Sequence, residues 1–105
     1  MKSRETPYKK IINREGIFFV YIVQCNNGAY YIGYTKNLEE RLSLHNNGKG
    51  AKYLKGKLPV KLVYAKEYHY YKNALKAERR LKKLTRKQKF NLIKIYAENN
   101  HEIAK

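Results

Sequence analysis

Between Ile17 and Arg41 the chain reads IFFVYIVQCNNGAYYIGYTKNLEER, and this stretch leaves little freedom for the fold. Phe18–Cys25 is rich in aromatic and β-branched residues and too short for a buried helix, so it reads as a strand. Asn26-Asn27-Gly28 is a turn, and Ala29–Thr35 returns as a second strand to make a hairpin. The length of the turn decides which side chains meet. A two-residue turn at Asn27-Gly28 pairs Tyr21 with Tyr34 and sends Tyr31 to the opposite face. A three-residue loop with Gly28 in the left-handed conformation pairs Cys25 with Ala29, Val23 with Tyr31 and Tyr21 with Gly33. In that register Tyr21 and Tyr31 share a face, and Gly33 leaves open space beside Tyr21. The sequence favours neither register.

Asn37-Leu38-Glu39-Glu40 has a capping-box pattern, which starts a helix near Leu38. It runs to Asn47 and stops at Gly48. On a helical wheel of roughly 100° per residue, Arg41 and His45 fall inside the apolar arc bounded by Leu38, Leu42 and Leu44. A buried cation needs a partner; the plain alternative is that Arg41 carries its head to the rim and that His45 is a satisfied core histidine. Val60–Tyr68 reads as the third strand and Asn73–Leu84 as the second helix, with Ala74, Ala77, Leu81 and Leu84 inward. Glu78 falls inside that inward arc, although an i,i+4 pair with Lys82 would also account for it. Thr85-Arg86-Lys87-Gln88 opens a third helix to about Asn99, with Phe90, Ile93 and Ala97 as its stripe.

Charge says who the partner is. The 105 residues carry 24 Lys+Arg against 8 Asp+Glu, a formal net charge of +16, which calls for a polyanion, most commonly nucleic acid. The longest apolar run, Ile17–Val23, is far too short to span a bilayer. Residues 46–59, NNGKGAKYLKGKLP, combine glycines with Lys49, Lys52, Lys55 and Lys57 beside Tyr53. This reads as a mobile strip against a nucleic-acid backbone, or as a plain solvated loop. Arg79 and Lys82 extend the basic surface. The stretch lacks the ending of a phosphate-binding P-loop. Residues 1–15 read as a basic arm, 16–99 as one domain and 100–105 as a frayed tail. Cys25 stands alone, which fits a reducing compartment, and the polar start has no signal-peptide core; both point to a cytoplasmic protein. No membrane partner is expected, and a monomer is favoured although the sequence does not fix the oligomeric state.

Every acidic residue is Glu, so a two-metal carboxylate cluster is not expected. One Glu suffices for a single Mg²⁺, which keeps several waters. Glu78 can hold it, and Arg41 can fork onto phosphate oxygens. A tyrosine with its unperturbed pKa of about 10 is an awkward base, unless nearby cations lower it.

The set V-Y-I, then Y-I-G-Y-T, then N-L-E-E-R and H, resembles the GIY-YIG nuclease superfamily, in its small stand-alone branch. It is similar to the N-terminal incision domain of the bacterial excision-repair nuclease, the excinuclease. H-N-N-G-K-G-A-K-Y, P-V-K-L-V-Y and A-L-K-A-E-R-R-L-K-K-L-T-R carry the likeness on, over roughly 18–95. The resemblance implies an α+β fold: a three-stranded antiparallel sheet flanked by about three helices, in the order β-β-α-β-α-α. It implies a metal-dependent endonuclease acting on DNA, in repair or recombination. Tyr21 would be the general base with Tyr31 assisting, Arg41 would stabilise the phosphate, and His45 would contact phosphate or relay a proton. Glu78 would be the sole carboxylate ligand of one divalent ion, Mg²⁺ or Mn²⁺. Phe19 stands where the family name has Gly, and Asn91 is a weak match for a downstream Asn. The alternatives are a non-catalytic DNA- or RNA-binding module on the same basic surface, or an RNA- or ribosome-associated factor.

Overall fold

The computed structural model describes residues 15–103. The elements are β1 (Glu15–Gln24), β2 (Tyr30–Thr35), α1 (Leu38–Asn46), a single 3-10 turn (Lys52–Leu54), β3 (Lys61–Tyr70), α2 (Tyr71–Lys82) and α3 (Arg86–Ile103). The strands form one antiparallel sheet in the order β2-β1-β3. The α+β architecture and the order β-β-α-β-α-α are therefore those expected.

The hairpin adopts the three-residue loop. Cys25 N–H donates to Ala29 at 2.7 Å, Gly28 N–H donates to Cys25 at 2.9 Å, and Gly28 has φ +91°. Tyr21 thus lies opposite Gly33, and Val23 opposite Tyr31.

β1 is the centre of the sheet, and its side chains alternate between two cores. Phe18, Val20 and Ile22 join Ile32 with Ala74, Ala77 and Leu81 of α2; Leu92 and Ile93 of α3 pack against this cluster. Tyr21, Val23 and Cys25 face the other way and join Leu54 and Val60, flanked by Tyr31, Leu38 and Leu42. The first core is closed by two long helices. The second is closed by the nine-residue α1 and the loop after it.

Several boundaries differ from those read in the sequence. β1 starts at Glu15, paired with Tyr70 of β3, so strand pairing overrides the charged composition at its start. The rest of the expected arm, residues 1–14, lies outside the described residues. α3 opens with the reciprocal Thr85–Gln88 capping bonds, but it runs past Asn99 to Ile103. Its packed stripe is rotated: Leu92, Ile93 and Tyr96 are half-buried, whereas Phe90 and Ala97 are exposed. Leu44 of α1 is likewise exposed.

Candidate active site

β2 is shorter than its neighbours. Its last pairing is Thr35 with Phe19, while β1 continues to Glu15 paired with β3. Among the described residues the sheet is two strands wide there, and a cleft of about 480 Å³ opens beside the end of β2. It is lined by Tyr21, Tyr31, Gly33, Arg41 and Glu78, together with Phe18, Tyr34, Thr35, Lys36, Asn37 and Glu40. Arg41 comes from α1, on the Tyr21 side of the sheet, and Glu78 from α2, on the opposite side. Four of the five residues singled out for chemistry thus share one cavity.

The fifth, His45, is 1 % exposed and lies behind the cleft wall. Its Nε2 is 2.8 Å from the Tyr21 hydroxyl, and its Nδ1 accepts from the Ala51 N–H at 3.4 Å. With Nδ1 accepting, the proton sits on Nε2, and His45 donates to Tyr21. The Tyr21 oxygen accepts this bond, and its own hydrogen is left to point into the cleft. Burial lowers the His45 pKa, with Arg41 adding to the effect, so the ring is neutral. His45 does not line the cleft and touches two residues that do, Tyr21 and Tyr31, so direct phosphate contact by His45, one of its two expected roles, does not follow from this geometry.

Tyr21 is itself 1 % exposed. Burial pushes its phenol well above the ordinary tyrosine value; Tyr31 raises it further, Arg41 pulls it down, and Glu78 raises it. The ring fits only because position 33 has no side chain. A Cβ there would stand 2.6 Å from the Tyr21 hydroxyl and 2.9 Å from Cζ. Gly50 plays the same part for His45, where a Cβ would meet the imidazole and lie 2.9 Å from the His45 Cα.

Glu78 is mostly buried at 13 % exposure, and its carboxylate also meets the Lys82 ammonium at 3.3 Å. Both sequence readings of Glu78 are realised together: it pairs with Lys82 and it forms part of the cleft wall. A Mg²⁺-like ion takes one or two carboxylates and fills its shell with water and phosphate oxygens. Glu78 on an open cleft wall fits that donor set. No cluster of three or more candidate metal ligands exists among the described residues, so a closed all-protein cage is not built there.

Glu40 is a cleft residue that sequence reasoning missed, because it read as the closing member of a capping box. The Asn37 side chain does accept from Glu40 N–H at 3.0 Å. The return bond is absent, since Asn37 N–H donates instead to the Thr35 hydroxyl at 3.2 Å. The Glu40 carboxylate is thereby spared for the cleft. Lys36, also missed, lies with its ammonium 5.8 Å from the Phe18 ring centre. Asn91 is exposed on α3 and does not line the cleft.

The loop after α1 is more ordered than its composition implies. Asn46 grips Val60 at both backbone groups, donating to its carbonyl at 3.1 Å and accepting from its N–H at 2.8 Å. Asn26 N–H donates to the Lys57 carbonyl at 2.9 Å. Leu54 is buried in the second core. Tyr53 stacks on Tyr31 with ring centres 5.8 Å apart and planes 21° apart. Lys57 donates to the Tyr53 carbonyl at 2.9 Å, with its ammonium 4.4 Å from the ring centre. Lys49, Lys52 and Lys55 remain exposed, as do Arg79 and Lys82 on α2. No helix among the described residues is long and apolar enough to cross a membrane.

Residues 17–91 match the GIY-YIG catalytic domain. A UPF0213 protein of Staphylococcus epidermidis is 52 % identical over 75 residues, covering 71 % of this chain and 92 % of its own length. One from Clostridium perfringens is 48 % identical over 86 residues, covering 80 % of this chain and 92 % of its own. Among solved structures, a solution NMR structure of an E. faecalis protein has TM-score 0.54 at 37 % identity, covering 80 % of this chain and 90 % of that one. The solution NMR structure of a UPF0213 protein from Bacillus halodurans has TM-score 0.51 at 35 % identity, covering 75 % and 84 %.

Proposed function

Because the chain belongs to the GIY-YIG family of nucleases, in its small UPF0213 branch, we propose that it is a divalent-metal-dependent endonuclease hydrolysing phosphodiester bonds of DNA. The observation that carries this reading is the common cleft of Tyr21, Tyr31, Arg41 and Glu78. Two aromatic hydroxyls, one guanidinium and one carboxylate are what a phosphoryl-transfer site needs if it activates water, steadies the phosphate and anchors one cation.

In this reading Arg41 forks onto the phosphate oxygens and opposes the charge that develops there. Tyr21 rests as a phenol, so it first loses its O–H proton through the cleft to solvent. The tyrosinate then takes one proton of the attacking water as the water oxygen bonds phosphorus and the bond to the leaving oxygen breaks. That oxygen is protonated from solvent. Tyr31 orients the water. Loss of the phenol proton has to be helped. His45 helps by donating Nε2–H to the oxygen that becomes negative, and Arg41 helps by its charge. Glu78 would hold the divalent ion. When bound, the ion supplies positive charge beside the phosphate and cancels the carboxylate charge that raises the phenol. Lys49, Lys52 and Lys55 on the loop, with Arg79 and Lys82 on α2, take the flanking phosphates of the strand. A role in repair or recombination is part of this proposal and rests on the family likeness alone.

The deciding experiment uses purified full-length chain on supercoiled plasmid, branched and single-stranded DNA, with and without Mg²⁺, beside Glu78→Gln. Wild type should cut only with the metal. Glu78→Gln should not cut, yet should bind as well or slightly better, because a negative charge has left a basic surface. A wild-type chain that binds the panel and cuts nothing in Mg²⁺ or Mn²⁺ makes the protein a binding module. Cleavage by Glu78→Gln at wild-type rate removes Glu78 as the metal ligand.

A further inference from the structure

The proposed mechanism leaves the segment 51–54 without a part in the chemistry, although it touches the site twice. Ala51 N–H donates to His45 Nδ1 at 3.4 Å. Two residues on, Tyr53 stacks on Tyr31 at 5.8 Å. Tyr31 presents its ring at 78° to that of His45, centres 5.7 Å apart. His45 completes the chain by its 2.8 Å bond to the Tyr21 hydroxyl. Ala51, His45, Tyr31 and Tyr53 therefore form a closed circuit whose two ends are joined by a single 3-10 turn.

That turn is not free to drift. Leu54 N–H donates to the Ala51 carbonyl and Lys55 N–H to the Lys52 carbonyl, each at 3.0 Å. Leu54 is buried, the Lys57 ammonium holds the Tyr53 carbonyl, and Asn46 ties the loop's two ends together. Tyr53 itself is half-exposed at 48 %. Its interactions described above run through the ring and the main-chain carbonyl. A half-exposed ring adds little to the core, but an offset stack covers the face of its neighbour and keeps that ring from swinging out of place.

We propose that Tyr53 is a positioning residue of the nuclease site: its ring covers one face of Tyr31 and blocks that ring from swinging about its Cα–Cβ bond, and so sets the place of the Tyr31 hydroxyl in the cleft, while the same turn sets the His45 tautomer. This rests on the nuclease reading and deepens it. It assigns to Tyr53 an inward role in place of the nucleic-acid contact expected from its place among lysines. A hydroxyl misplaced by about 1 Å is enough to lower a rate by on the order of a hundredfold.

The test compares Tyr53→Phe and Tyr53→Leu with wild type. Three quantities are read: kcat for plasmid nicking in Mg²⁺, Kd for a labelled oligonucleotide without metal, and the NMR shifts of the Tyr31 ring and of the His45 nitrogens in free protein. Tyr53→Phe keeps the stack and should keep kcat within about twofold, with unchanged Tyr31 shifts. Tyr53→Leu removes the planar contact and should lower kcat by about tenfold to a hundredfold, move the Tyr31 ring resonances, and leave Kd within about twofold. Because Tyr53 is half-exposed, the Leu variant is expected to fold, and its near-unchanged amide spectrum elsewhere checks this. Loss of affinity with kcat preserved in Tyr53→Leu overturns the proposal and makes Tyr53 a substrate contact. Unmoved Tyr31 shifts with unchanged kcat overturn it as well, while leaving the nuclease reading intact. A wild type that cuts nothing fails the nuclease reading itself, and the positioning role with it.

Discussion

Adding one methyl group at Gly33 tests the centre of the site. Gly33→Ala places a Cβ 2.6 Å from the Tyr21 hydroxyl, 2.9 Å from Cζ and 3.3 Å from Cε2, where 3.4 Å is the lower limit of ordinary contact. The backbone at Gly33 has no positive φ, so the whole cost comes from this contact. The tip of a long side chain could normally swing away. Tyr21 cannot do so freely, because it is buried and its hydroxyl is held by His45. The hydroxyl has to retreat by roughly 0.8 Å, a misplacement of the size that costs on the order of a hundredfold in rate. Overpacking of a tight core costs about 1–3 kcal/mol. Gly33→Ala should therefore lower the Mg²⁺-dependent nicking rate by about a hundredfold and lower thermal stability, with oligonucleotide affinity nearly unchanged. Tyr21→Phe in the Gly33→Ala background removes the closest atom but leaves Cζ at 2.9 Å, so it should restore part of the stability and none of the activity. Chemical denaturation of the two singles and the double measures that coupling. A Gly33→Ala chain that is as stable as wild type and nicks at the same rate refutes the placement of the Tyr21 hydroxyl on which the mechanism depends.

Arg41→Ala should reduce nicking by about 10²–10³-fold, as loss of a group aimed at developing charge does. It should also weaken oligonucleotide binding, and loss of neither would remove Arg41 from the phosphate. Affinity should fall steeply with salt, by about 0.9 log unit per log unit of salt for each phosphate neutralised on a duplex; titrations at several salt concentrations giving a flat line would exclude binding through phosphate contacts. Acid should destabilise the fold through His45. Its folded-state pKa is lowered, so between that value and the unfolded value of about 6.5 the unfolded chain binds more protons. Stability is then full above about pH 6.5 and declines as the pH falls below it. Denaturation midpoints that do not change from pH 7 to pH 5 in wild type, relative to His45→Gln, would contradict the buried neutral imidazole.

The helix wheels of α1 and α2 were enough to turn Arg41, His45 and Glu78 inward, because each falls within the apolar arc of its helix. The hairpin was legible too, but not its register. N-N-G closes either a two- or a three-residue loop, and the Cys25–Ala29 pairing around Gly28 at φ +91° decides that Tyr21 meets Gly33. The segment 46–59 was illegible for a different reason. Its glycines and lysines carry no period, and its order comes from distant partners: Val60 for Asn46, His45 for Ala51, Tyr31 for Tyr53. Glu40 was misread because a capping box predicts where a carboxylate goes only if no other acceptor reaches the first N–H. The Thr35 hydroxyl reached it. Phe90 was placed inward by its period, but α3 meets the first core through Leu92 and Ile93, and Phe90 faces out at 55 % exposure.

The strand order also bears on how such chains can assemble. In a β2-β1-β3 sheet the outer edges are those of β2 and β3, and an outer strand edge is a template for another chain. β2 ends at Thr35, beside the cleft that Arg41 and Glu78 line. A strand from a second molecule added to β2 and running on past Thr35 would cover that cleft, whereas one added to β3 lies on the far side of β1 from it. Sheet extension that keeps the cleft accessible therefore uses the outer edge of β3, or stops short of Thr35 on β2.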